Sequence, residues 1–171
     1  MPVCVHWRIL VLFALVFPIW GQIITGPLQR QSLVRLYEAT NGDNWLNNDN
    51  WLVGEPCVNN WYGIECDNYI LGGEGVTFIQ LQRNNLSGTL PESLLLANLE
   101  INLEENNIGG TLPDGWTQML LVTTIILTDN NLVGTLPESW ATMNLLDLRL
   151  NSNQLTGTIP EAYGRYLYFL Q

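Results

Sequence analysis

Apolar and polar positions along this chain form a pattern that repeats. Ile79 to Pro91 reads IQLQRNNLSGTLP, Ile101 to Pro113 reads INLEENNIGGTLP, Ile125 to Pro137 reads IILTDNNLVGTLP, and Leu148 to Pro160 reads LRLNSNQLTGTIP. A recurring asparagine falls at Asn84, Asn106, Asn130 and Asn153, with spacings of 22, 24 and 23 residues. The apolar–any–apolar opening of each unit predicts a short strand with one face buried and one in water. Units of this length cannot bury an apolar face alone, so they stack, and their strands form a parallel curved sheet. The short second unit leaves the register of Asn98 to Glu100 open.

Each repeated position has a physical role. The asparagine falls where the chain turns inward off the strand. Its amide both donates and accepts, so it can serve backbone groups of adjacent coils that the stack buries. The four asparagines are expected to form a ladder. Gly88, Gly110, Gly134 and Gly157 occupy tight turns, and the residue before each proline is extended. Three residues after each proline stand Leu94, Trp116, Trp140 and Tyr163. Such a row could stack sugars; packing inward at the start of a short helical return segment is the preferred reading.

An end coil exposes its core, so a cap is expected before the first strand. Pro27 suits a first helical turn, Leu33, Val34, Leu36 and Tyr37 give an apolar helix face, and Asn41-Gly42 ends it. Trp45, Trp51 and Trp61 follow. They could line a ligand cage, but covering the first coil is the better use of such large side chains. Asp43, Asn47, Asn48 and Asp49 could hint at calcium, but turn chemistry explains them better and no metal is assigned. After Cys66, a hairpin through Gly72-Gly73-Glu74-Gly75 leads to Val76.

The opening segment differs from the rest. Arg8, with His6 nearby, precedes the uncharged run ILVLFALVFPIW from Ile9 to Trp20. That run falls short of the roughly 20 residues needed to span a bilayer. A basic start, a short apolar stretch and a small residue at Gly21 predict a secretory signal peptide over 1–21. The alternative is an uncleaved anchor, against which Pro18 and Gly21 break the run. Cleavage removes Cys4 and leaves Cys57 and Cys66, an even number for an oxidising compartment. A bridge between them closes a short loop, worth roughly 2–3 kcal/mol. Asn85-Leu86-Ser87 is a glycosylation sequon, usable in a eukaryotic host.

The cap residues Asn41-Gly42, Trp45, Trp51, Pro56-Cys57, Trp61, Gly63-Ile64 and Cys66, followed by L-x-x-N-x-L-x-G-x-I/L-P repeats, resemble the plant-type extracellular leucine-rich-repeat proteins and their protist relatives. The likeness covers residues 30–171. It implies an α/β solenoid: a right-handed leucine-rich-repeat superhelix, with a helical, disulfide-bonded N-terminal cap and a second small sheet at the G-T-L-P segments. The organisation expected is a leader over 1–21, a cap over 22–75, and about four repeats plus the start of a fifth over 76–171. Members of that family serve as receptor ectodomains, surface antigens and secreted inhibitors of foreign enzymes. Eight residues separate the two cysteines here, more than in plants, which favours a protist-like member.

Composition narrows the chemistry. Acidic residues outnumber basic ones 16 to 6, every basic one is arginine, and the net charge is −10. That balance disfavours nucleic acid and anionic membranes as partners. The only histidine lies in the leader, so a mature chain would hold no histidine, no lysine and no free cysteine. This excludes serine–histidine and cysteine–histidine catalysis, Schiff-base chemistry and histidine metal sites. Paired carboxylates among Glu104, Glu105 and Asp129 are the one enzymatic option. They fall on exposed strand positions with nothing to raise a pKa, so no catalytic residue and no cofactor are assigned.

The same positions are the binding candidates. Side chains off the exposed face fall in columns: Phe78, Glu100, Thr124 and Asp147; Gln80, Asn102, Ile126 and Arg149; Gln82, Glu104, Thr128 and Asn151; Arg83, Glu105, Asp129 and Ser152. The middle is acidic, flanked by Arg83 and Arg149, with Phe78 and Ile126 expected as exposed apolar residues. A rigid curved sheet with variable side chains suits a protein, peptide or glycan partner. The expected function is therefore recognition outside the cell. The alternatives are inhibition of a foreign polysaccharide hydrolase and a structural or adhesive surface role. A fifth strand is expected to begin at Gln171. The chain is read as a fragment of something larger, such as a receptor, or as ending in a minimal cap over 162–171.

Overall fold

The computed structural model describes residues 26–67, 75–96, 99–165 and 169–170. The leader with Cys4 and His6, the Gly72-Gly73-Glu74 turn, Asn98 and Gln171 lie outside them.

Helix α1 (Gly26–Ala39) opens the described chain, and a turn of 3-10 helix (Gly42–Asn44) follows. Strand β1 (Ile64–Asp67) runs antiparallel to β2 (Gly75–Gln80), as a hairpin requires. From β2 the coils repeat. The first strand of each is β2, β4 (Glu100–Asn102), β6 (Thr124–Ile126), β8 (Asp147–Arg149) or β10 (Phe169–Leu170). Together with β1 they make one six-stranded sheet in the order β1-β2-β4-β6-β8-β10. The second strand of each coil is β3 (Ser87–Thr89), β5 (Asn107–Gly110), β7 (Asn131–Thr135) or β9 (Gln154–Thr156), forming a four-stranded sheet. That sheet lies at the N-L-x-G-T segments, slightly ahead of the expected G-T-L-P position. The fifth coil's strand begins at Phe169, with Leu170 opposite Leu148, so it enters the sheet before the expected Gln171.

The return segments are short 3-10 helices: Asp114–Gln118, Glu138–Thr142 and Glu161–Arg165. Leu94, Trp116, Trp140 and Tyr163 are all buried in the core, which supports the packing role. The rings of Trp116 and Trp140 stack 5.7 Å apart, only 7° from parallel. Each polar tip reaches back one coil. Trp116 Nε1 donates to Pro91 O at 2.9 Å, Trp140 Nε1 to Pro113 O at 2.9 Å, and the Tyr163 hydroxyl to Pro137 O at 2.6 Å. The carbonyl of the same proline position accepts in each coil, so the polar tips tie the column together coil to coil.

The cap is an aromatic wedge. Tyr37, Trp45, Trp51 and Trp61 are buried and touch in sequence, at centroid distances of 5.1, 4.8 and 4.9 Å. Every indole N–H finds a backbone carbonyl: Thr40 O, Tyr62 O and Val53 O for Trp45, Trp51 and Trp61. The helix face that meets the first coil contains two polar residues that periodicity alone misses. Gln29 accepts from Val76 N at 2.7 Å, and Ser32 accepts from Leu95 N at 2.9 Å. The cluster of Asp and Asn makes turn bonds. Asn47 accepts from Asp49 N, Asn48 donates to Gly42 O, and Tyr37 donates to Asp43. Burial and the Asp43 carboxylate together hold the Tyr37 phenol above its usual range. Cys57 and Cys66 are bonded, tying the Trp61 loop to the edge strand β1.

Candidate recognition surface

The Asn ladder fixes the coils at the spacing the surface needs. Asn84 opens it, accepting from Asn47 N at 2.7 Å and donating to Asn47 O at 2.8 Å, so the first rung reaches the cap. Asn106 accepts from Asn84 N and Leu86 N, at 3.0 and 2.9 Å, and donates to Leu81 O and Leu103 O. Asn130 accepts from Ile108 N, and Asn153 from Leu132 N, both at 3.0 Å. Their amides donate back to Leu103 O and Leu127 O of the preceding coil. Each rung therefore joins two coils.

Held in this way, the strand columns align as expected. Phe78, Glu100, Thr124 and Asp147 stand opposite one another, as do Gln80, Asn102, Ile126 and Arg149. Gln80 donates to Glu100 at 2.8 Å across β2 and β4, and Thr128 donates to Asn151 at 3.0 Å. Asn102 accepts from Glu104 N and turns the chain past the strand end. Gln82 is exposed, and Thr124 is half-buried.

Two expectations need correcting. Ile126 and Thr128 are not exposed: they are only 8% and 7% accessible, the Thr128 hydroxyl being turned to Asn151, and Phe78 is half-buried. Ile126 lies on a central strand between Asn102 and Arg149, and long neighbours on a crowded sheet shelter it. The third column, Gln82, Glu104, Thr128 and Asn151, lies just past the strand ends, and the fourth lies at a bend beyond it. Arg83, Glu105, Asp129 and Ser152 have φ of 56°, 53°, 53° and 55°, in the left-handed region. Each sits at the bend just before a ladder asparagine, where the chain must reverse curvature. A run of one such residue per coil has no signature in hydrophobic periodicity.

The charges are partly paired. Arg83 bonds Glu105, its neighbour one coil on. That bond lowers the Glu105 pKa and raises the Arg83 pKa. Arg149 grips Asp147 through two nitrogens, at 3.1 and 2.7 Å, and its pKa rises accordingly. Both arginines are thus occupied by acids within the surface. Glu104 and Asp129, on adjacent coils, have no ion-pair partner among the described residues. No group of three or more potential metal ligands occurs among the described residues.

The asparagine ladder, the two sheets of parallel coil strands with one antiparallel edge strand at the cap, and the stacked coils together decide the architecture. Residues 144–165 match the Leucine Rich Repeat family model. The fold is a leucine-rich-repeat solenoid. Solved structures agree. The PEPR1–AtPEP1 complex aligns over 82% of this chain and 20% of that one, at 24% identity and a TM-score of 0.65. The BIR2 ectodomain from Arabidopsis thaliana aligns over 81% of this chain and 76% of that one, at 26% identity and a TM-score of 0.63. A plant ice-binding protein aligns over 82% and 53%, at 25% identity and a TM-score of 0.50. The chain thus spans about a fifth of the length of the first of these. Comparison with curated proteins finds no match. No helix among the described residues is long and apolar enough to cross a membrane.

Proposed function

We propose that the six-stranded sheet of this solenoid captures a protein or peptide partner outside the cell, and that the chain is not an enzyme. The observation that carries the reading is the acidic row just past the aligned strand ends: Arg83 and Arg149 are held by Glu105 and Asp147, while Glu104, within electrostatic reach of both arginines, and Asp129 form no ion pair among the described residues. The contact residues are Phe78, Gln80, Gln82, Glu100, Asn102, Glu104, Thr124, Asp129 and Asn151, with the two ion pairs at the margins. A basic segment lying across adjacent coils would meet both unpaired carboxylates, steered by a surface of uncompensated negative charge. Likeness to the BIR2 ectodomain supports the extracellular setting, as do the leader-like first 21 residues and the disulfide.

A random peptide display library panned on the immobilised chain tests this reading. Sequences enriched in Lys or Arg are expected. Their capture should weaken as salt rises, because exposed charges are screened. Glu104→Arg combined with Asp129→Arg should weaken capture at least roughly tenfold, about 1.4 kcal/mol. Unchanged capture by the doubly reversed chain would refute the proposal. Failure to select any peptide would do the same.

A further inference from the structure

We infer that Asn85 is an N-glycosylation site, placed by the fold on the shoulder between the two sheets; the inference rests on the secretory reading above. Asn85-Leu86-Ser87 is the only N-x-S/T sequence in the 171 residues. Asn85 is exposed, with φ 59°, at the bend between ladder residue Asn84 and strand β3. Leu86, the next residue, is fully buried. The alternation therefore points the Asn85 amide out of the core.

The amide's contacts in the fold are compatible with a sugar on its nitrogen. Asn85 Nδ2 donates to Asn44 O at 2.9 Å, while its Oδ1 accepts from Asn107 Nδ2 at 3.2 Å. A side-chain amide nitrogen carries two hydrogens. One keeps the Asn44 bond, the other is available for substitution, and the oxygen's contact is unaffected. In the reaction, a bond forms between Nδ2 and the anomeric carbon of an oligosaccharide carried on a lipid diphosphate. The anomeric carbon–oxygen bond to the diphosphate breaks, and the amide proton leaves with the departing anion.

The repeat offers this shoulder four times and completes it once. Asn107-Ile108-Gly109 and Asn131-Leu132-Val133 present the asparagine without the hydroxyl. Gln154-Leu155-Thr156 presents the hydroxyl without the asparagine. Asn107, Asn131 and Gln154 are exposed, like Asn85. A glycan on Asn85 would stand beside the cap on the second-sheet shoulder, past the inward-turning Asn84 and away from the strand columns.

The test is the full chain made in a eukaryotic secretory host, with intact mass measured before and after peptide-N-glycosidase. One removable glycan is expected, absent in both Asn85→Gln and Ser87→Ala and kept in Ser87→Thr. Gln154→Asn should add a second glycan, a gain that needs no contact to be lost. A secreted chain with no removable sugar overturns the inference and leaves the extracellular reading standing. A removable sugar that survives Asn85→Gln overturns it as well. If residues 1–21 fail to deliver the chain, the secretory reading fails, and the same chain behind a foreign leader in place of 1–21 still decides the question. An unmodified product there overturns the site.

Discussion

Asn106 shows what one side chain does in a solenoid. Its oxygen serves the amides of Asn84 and Leu86, and its nitrogen serves the carbonyls of Leu81, Leu103 and Glu104. Removing it strands two buried N–H groups, each worth roughly 1–3 kcal/mol. Asn106→Leu should therefore lower unfolding free energy by about 2–6 kcal/mol in a urea titration. Asn153→Leu should cost less, because Asn153 is only half-buried and water can replace part of its role. Glycine and threonine form a second inter-coil contact. Gly134 has φ +86°, and a Cβ there would meet the Thr111 methyl at 3.0 Å; Gly110 faces Thr89 in the same way at 2.9 Å. Gly134→Ala should destabilise by more than about 1 kcal/mol, from the left-handed backbone and the crowded methyl together. In a Thr111→Ser background the methyl is gone, so the same change should cost measurably less. Equal costs in both backgrounds would show that the backbone alone is responsible.

The return segments give an element-scale prediction. Tyr163 ends the column of Leu94, Trp116 and Trp140, and burial with the nearby Asp114 charge raises its phenol well above the usual value. The fold thus favours the protonated phenol. The stabilisation is complete below the unfolded pKa of about 10 and is lost as pH rises above it. Tyr163→Phe should cost about 0.5–1.5 kcal/mol at neutral pH through the lost bond to Pro137 O. It should also flatten the alkaline fall in melting temperature between pH 9 and 11, while Tyr37 sustains a remainder. At this scale the sequence was most legible. The L-x-L bursts located the parallel strands and their columns, because a period of two admits only one facing set. The aromatic column was recognisable by its fixed distance from proline. The left-handed bends at Arg83 and Glu105 were not legible, since Arg and Glu have no preference for positive φ, and the mild preference of Asp129 does not locate a bend by itself. Nor was the shelter of Ile126, which comes from neighbours on other coils, nor the pairing of Arg83 with Glu105, set by coil-to-coil spacing.

Across the whole molecule, coils touch only their neighbours, so stability is a sum of units and interfaces. The cap therefore matters beyond its size. Helix α1 joins the first coil through Gln29 and Ser32, and the Asn84 rung ties that coil to the cap loop at Asn47. The Cys57–Cys66 bond pins that loop to β1, the antiparallel edge strand of the sheet. Reducing it removes a constraint worth roughly 2–3 kcal/mol from the unfolded ensemble. The effect should be local first. Amide exchange after reduction should rise for the segment from Trp51 to Asp67 and for β2, with little change in β6 and β8, since nearest-neighbour coupling fades over successive coils. Because Glu104 and Asp129 lie beyond the first coil, peptide capture should survive reduction at temperatures where exchange in β6 is unchanged. If reduction raised exchange uniformly across all coils, the solenoid would be one cooperative unit. Cap and recognition surface could then not be treated as separable parts.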